Sequence, residues 1–217
     1  MSEFTSGILY LRKHHELAQR AIAQLPIPYL IHDLNTNWSG LFTPDEYLQQ
    51  KGLLDWLHHH SIDLPILRFE HPADHGWGYT VFRQGAQTAS LWVNYEISYN
   101  MWRDFAEQRY PGTDVHLTLT DEEARTIHEE VRRSDVYQKA VRKQFATINV
   151  SEFAAFGLSA EHIAQLSAIL SDEWYLDSDR MLRQVEEFKR ILNIKEMAWK
   201  SYRYLLRQKR ESPGETG

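Results

Sequence analysis

Along residues 89–97, Ala89, Leu91, Val93, Tyr95 and Ile97 alternate with Ser90, Trp92, Asn94 and Glu96. Successive side chains of a strand point to opposite faces, so a period of two commits this stretch to a sheet with one covered face. Residues 78–97 read as two strands around a turn at Gln84-Gly85, and 64–69 (LPILRF) as a further strand before them. Trp92 falls on the polar side of the alternation. If the hairpin register brings Trp92 and Phe82 to one side, that side carries an aromatic patch that a helix, a partner or a ligand must cover.

The rest of the chain is read around this hairpin. Leu11, Leu17, Ala18, Ala21, Ile22 and Leu25 recur at helical spacing until Pro26-Ile27-Pro28 stops them, and 29–34 (YLIHDL) is a short strand. TPDE at 43–46 offers Thr43 as N-cap, Pro44 at the first helical position and Glu46 at the third, so a helix is expected from there to about His60. Residues 99–110 form a short helix ended by Pro111-Gly112, and TDVHLTL after it reads as a last strand or an extended linker. From the capping box TDEE at 120–123 onward the pattern is helical: 121–145, 160–170, 179–192, and from Asn193 to about Lys209.

The fold class expected is α+β: a small, mainly antiparallel sheet with N-terminal helices, followed by an all-helical C-terminal region. Two parts are expected, an α+β part at 1–115 and a helical region at 120–210. The second is either separate or packed on the first as one composite domain. Residues 211–217, small and polar, read as a disordered tail.

The chain has 217 residues, 42% of them hydrophobic, and no cysteine, which excludes disulfides, zinc ribbons and thiol catalysis and fits a reducing cytoplasm. No run approaches 18 apolar residues and the N-terminus lacks signal-peptide order, so a soluble, cytoplasmic protein with no membrane association is expected. The net charge of −6 is unevenly spread. Residues 195–210 hold six cations against Glu196, a local +5 that leaves −11 for the remainder.

Chemistry-bearing residues concentrate in EHPADHGWGY, residues 70–79. Glu70, His71, Asp74 and His75, with His32 and Asp33 from another strand, carry donor atoms suited to a divalent metal such as zinc or manganese, which, held by His71, Asp74 and His75 with His32 or Asp33, would activate a water for hydrolysis. Turn chemistry explains the same letters without any ligand or cofactor: Pro72 fixes φ, Asp74 suits an Asx turn, and Gly76 and Gly78 let the chain reverse with Trp77 and Tyr79 packed alongside. The triplet His58, His59, His60 ends a helix, where adjacent residues diverge by about 100° and cannot share one metal ion. Ser39 and Ser98 have no nucleophile-elbow context, and no phosphate-binding glycine motif occurs.

A non-catalytic binding or regulatory module is therefore the favoured function, with a protein or small-molecule partner bound near Phe82, Trp92, Trp77 and Tyr79. The alternatives are the metal-dependent hydrolase and, less favoured because the chain is acidic, nucleic-acid binding by the basic C-terminal helix, where Trp199, Tyr202 and Tyr204 interleave with cations.

Overall fold

The computed structural model describes residues 4–45 and 47–211. Its centre is a six-stranded, wholly antiparallel sheet formed by β1 (Phe4–Leu11), β2 (Leu30–Asp33), β3 (Trp38–Phe42), β4 (Ile66–Pro72), β5 (Gly76–Arg83) and β6 (Ala86–Asn94). In space they run β2-β3-β1-β4-β5-β6. The α-helices between the strands are α1 (His15–Ile22) and α2 (Lys51–His60). After the sheet come α3 (Ile97–Arg109), α4 (Val115–Thr118), α5 (Asp121–Arg133), α6 (Asp135–Phe145), α7 (Ala160–Ile169), α8 (Asp172–Leu176), α9 (Ser178–Met181), α10 (Gln184–Leu192) and α11 (Tyr202–Glu211). The chain is thus a mixed α+β fold.

Both faces of the sheet are covered, and the period of two sorts its side chains between them. Ile8, Tyr10, Leu41, Ile66 and Phe82 join Ala18, Ala21, Ile22, Leu53, Trp56 and Leu57 of α1 and α2 in one cluster. Leu9, Phe42, Leu67, Phe69, Trp77, Tyr79, Leu91 and Val93 point the other way and share a core with α3, α5, α6, α7, α10 and α11. At its centre the Phe188 ring lies stacked on Phe69 and Tyr79, with centroids 5.9 and 5.2 Å apart. The helical C-terminal half and the sheet therefore bury a single apolar layer between them.

Several expected elements take a different form. The first described element is β1, in the middle of the sheet, and α1 starts only at His15. β1 and β3 are buried on both faces, so they show no alternation. The helix expected from Thr43 starts at Lys51. The Asp45 carboxylate accepts the amides of Gln49 and Gln50, both at 2.6 Å, and Leu48 takes φ +51, so residues 43–45 and 47–50 belong to a loop. Glu46, expected to complete the cap, and the terminal stretch 212–217 lie outside the described residues.

TDVHLTL contains α4 instead of a strand, with the Asp114 side chain capping it at the amide of His116. The helix expected over 121–145 is divided by Ser134, which leaves helical geometry at ψ 141 and caps α6. Asn193 ends α10 in the left-handed conformation, φ 56, and α11 begins only at Tyr202. Glu196 receives a hydrogen bond from Asn35 at 3.1 Å instead of capping a helix.

Candidate functional site

The face of the sheet that carries α1 and α2 is not covered along its whole length. Ser6, Arg68, Glu70, Gly78, Thr80, Ser90 and Trp92 occupy the same face toward the β4–β5–β6 end, as the register pairs Ser6 with Glu70, Glu70 with Gly78, and Gly78 with Trp92. A groove of about 490 Å³ opens there, lined by Tyr47, Gln49, Glu70, Pro72, His75 and Trp92.

Each wall has a local cause. Trp92 lies flat across β5 because its cross-strand neighbour is Gly78: a Cβ at that position would sit 2.7 Å from Trp92 Cε3 and 2.6 Å from the Leu91 carbonyl oxygen. The indole stays 42% exposed. Tyr47, on the 43–50 loop, forms the facing aromatic wall, its ring edge-on to Phe4. Arg68 ties that loop to the sheet by donating to the Tyr47 carbonyl oxygen at 2.9 Å and to Glu70 Oε1 at 2.8 Å. Arg68 and Glu70 are nearly buried, at 13% and 15% side-chain exposure.

Burial pushes the Glu70 carboxyl above its ordinary value. The Arg68 guanidinium opposes that shift and the Asp45 carboxylate adds to it. At the rim His75 Nδ1 lies 3.0 Å from Glu96 Oε1. Glu70 lines the groove, and the Asp45 carboxylate near it adds negative charge against one fixed cation, Arg68, so the groove favours a positively charged or proton-donating guest. Aromatic walls suit the same guest, since a cation is attracted to the ring face.

The residues anticipated from sequence divide between the two sides of the sheet. Phe82 and Trp92 share a face, but Phe82 is buried under α2 with the ring of His58 edge-on to it. Trp77 and Tyr79 point into the opposite core and are 0% and 2% exposed, so their rings line no part of the groove. His75 lies at the rim of the groove in the turn between β4 and β5, where its amide donates to the Pro72 carbonyl at 2.8 Å. Gly76 there takes φ +141 with the Val93 carbonyl oxygen where a Cβ would go, which is the turn chemistry expected of this stretch. Three residues of the groove were not anticipated as site residues: Tyr47, Gln49 and Pro72, the last read only as a turn former. Glu70 was expected as a metal donor and not as a groove wall.

The proposed metal ligands do not converge. His32 is on β2 and His71 on β4, three strand intervals apart, roughly 14 Å at usual sheet spacing. His71 is buried beside Thr5 instead of lying at the surface, while His75 turns to Glu96. Among the described residues no group of three or more His, Asp or Glu side chains is placed to hold a metal ion. His32 belongs to another neighbourhood: burial, Lys200 and Lys209 hold its pKa below the ordinary 6.5, with Asp33 opposing them.

The basic C-terminal stretch is partly committed to internal contacts. Lys200 lies over the Tyr204 ring, Arg207 pairs with Glu211 at 2.7 Å, and Leu205 is buried. Trp199 is 42% exposed with φ 62. No described helix is long and apolar enough to cross a membrane.

No protein-family model matches the chain, and no similar curated protein or solved structure was found.

Proposed function

We propose that this chain is a non-catalytic binding module whose groove between Tyr47 and Trp92 takes a cationic, hydrogen-bond-donating group, presented by a small molecule or by a side chain of a protein partner. One observation carries the reading: an indole laid open on the sheet surface beside a nearly buried carboxyl. Leaving a tryptophan ring in water forgoes burial that could stabilise the fold, and it gains a use where a guest covers it. Glu70 offers an acceptor to that guest.

The test follows the Trp92 indole N–H by NMR while the protein is titrated with N-acetyl-arginine amide, with the glutamine analogue as neutral control. The expected result is a saturable shift of Trp92 with the cationic probe alone, lost in Trp92→Ala while the melting temperature of that variant stays close to that of the parent. A Trp92→Ala chain that fails to fold would instead make Trp92 part of the fold's support, and an unmoved indole signal would remove the cationic guest.

A further inference from the structure

On the opposite face of the sheet from Trp92, and toward its other end, a pocket of about 400 Å³ opens where the strands meet the helical half. Three segments enclose it: the turn joining β2 to β3, residues 156–158 ahead of α7, and the C-terminal end of α10. Leu11, Trp38, Phe156, Leu158 and Ile191 give it an apolar floor. Lys13, Asn37, His162 and Asn193 give it a polar rim. Among the described residues that line it there is neither Asp nor Glu.

Bonds between distant parts of the chain hold these walls in place. Asn35 Oδ1 accepts the amides of Asn37 and Trp38 at 2.9 and 3.0 Å, which shapes the turn, and Asn35 Nδ2 donates to the Asn193 carbonyl at 2.8 Å. Trp38 Nε1 donates to the Leu192 carbonyl at 2.9 Å. The pocket therefore stands preformed at the junction of the two halves, a place where ligand clefts are common. Its rim is set as well. The Ser159 hydroxyl accepts from the His162 amide at 3.3 Å and lies 3.1 Å from His162 Nδ1, to which it gives its own proton, so that Nε2 carries the ring N–H. Lys13 is exposed and makes no ion pair among the described residues. Carboxylates on the flanking segments are engaged elsewhere: Asp33 with Arg12 at 3.2 Å, Glu196 with Asn35 at 3.1 Å and Glu161 with Gln165 at 3.4 Å.

We infer that this pocket binds a small organic carboxylate with an apolar body, the carboxylate held at the rim by Lys13 and His162 and the body laid on the floor. Charge selects the anion, since the rim offers an ammonium group and a ring N–H with no lining carboxylate to oppose them. A carboxylate suits the rim better than a phosphate does. No arginine lines the pocket and the chain has no phosphate-binding glycine loop, so the several donors that a phosphate needs are missing. The floor selects the body: a bare anion would leave Leu11, Leu158 and Ile191 in contact with water, whereas an apolar group covers them. This site stands apart from the Trp92 groove, and the inference does not rest on the cationic-guest reading.

NMR titration of the full chain tests it with three probes: 3-phenylpropionate, its neutral amide, which keeps the body without the charge, and acetate, which keeps the charge without the body. The signals followed are the Gly157 and Asn193 amides and the Trp38 indole N–H. The expected result is a saturable shift of these signals with 3-phenylpropionate, and binding at least about tenfold weaker for the amide and for acetate. Lys13→Gln and His162→Gln, both at exposed positions, should each weaken 3-phenylpropionate about tenfold at an unchanged melting temperature. Unmoved signals overturn the inference, as do an amide or an acetate that binds as tightly as 3-phenylpropionate, or two folded variants that bind as the parent does. The Trp92 indole N–H is read in the same spectra. A shift there in place of Trp38 would put the carboxylate in the other groove and overturn the assignment of this one.

Discussion

Glu70 is held by opposing forces. Its partner Arg68 favours the carboxylate, but burial outweighs it, and the carboxyl titrates above its ordinary value of 4.5. The folded chain therefore binds this proton more tightly than the unfolded chain does. The stabilisation Glu70 contributes is complete below pH 4.5 and is lost as pH rises through the raised value. Urea unfolding of the parent and of Glu70→Gln across this acidic range should show a shallower fall of stability with rising pH in the variant. An identical slope would remove Glu70 as its source. Gly78 acts at the same scale by a steric route, since the missing side chain makes room for the Trp92 ring. Trp92 was legible in the sequence as a large aromatic on the polar side of an alternating strand. The contribution of Tyr47 was not, because it depends on a loop tied down by an arginine 21 residues away.

At the scale of elements, local chemistry sets where helices start more firmly than how far they run. The cap at Thr120 forms as TDEE requires: Thr120 Oγ1 accepts from the Glu123 amide at 3.3 Å and Glu123 Oε2 accepts from the Thr120 amide at 2.9 Å. TPDE at 43–46 has similar letters, but its Thr43 starts no helix: the Thr43 hydroxyl donates to the Asp45 carbonyl at 3.4 Å, and the Asp45 carboxylate is spent on amides within its own loop. Ser134 is the converse case. It interrupts an apolar period that continues on both sides, and its hydroxyl accepts from the Tyr137 amide at 3.2 Å to start α6. Ser134→Ala should cost about 1 kcal/mol, read as a lower melting temperature with little change in helix content. A variant as stable as the parent would mean that packing of Val131, Tyr137 and Val141 alone fixes the break.

Over the whole molecule, the decisive contact joins the two halves of the chain. Phe188 of α10 stacks on Phe69 and Tyr79 and packs against Trp77 and Phe153, with centroid distances of 4.9–5.9 Å. Hydrogen bonds to backbone carbonyls reinforce the junction, the Ser6 amide donating to the Lys200 carbonyl and the Trp38 indole Nε1 to the Leu192 carbonyl. Phe188→Ala should therefore destabilise the chain by about 3–5 kcal/mol while thermal unfolding keeps one transition for near-ultraviolet and far-ultraviolet signals alike. Two separated transitions would mean that the sheet and the helices are stable apart. The β4–β5–β6 meander, the Gln84-Gly85 turn and the helical second half were readable from periodicity, and the first of these exposed Trp92. β1 and β3 were not, since strands buried on both faces lose the alternation that marks a strand and resemble any short apolar run. The separation of His32 from His71 was likewise invisible, because strand order is not written in strand sequence. The sequence by itself determined a mixed chain with one covered hairpin, a helical second half and no thiol chemistry, since these follow from residue type and local spacing. Tertiary structure alone decided which aromatic faces solvent and which carboxyl lies beside it, because both depend on strands and a loop brought together from distant parts of the chain.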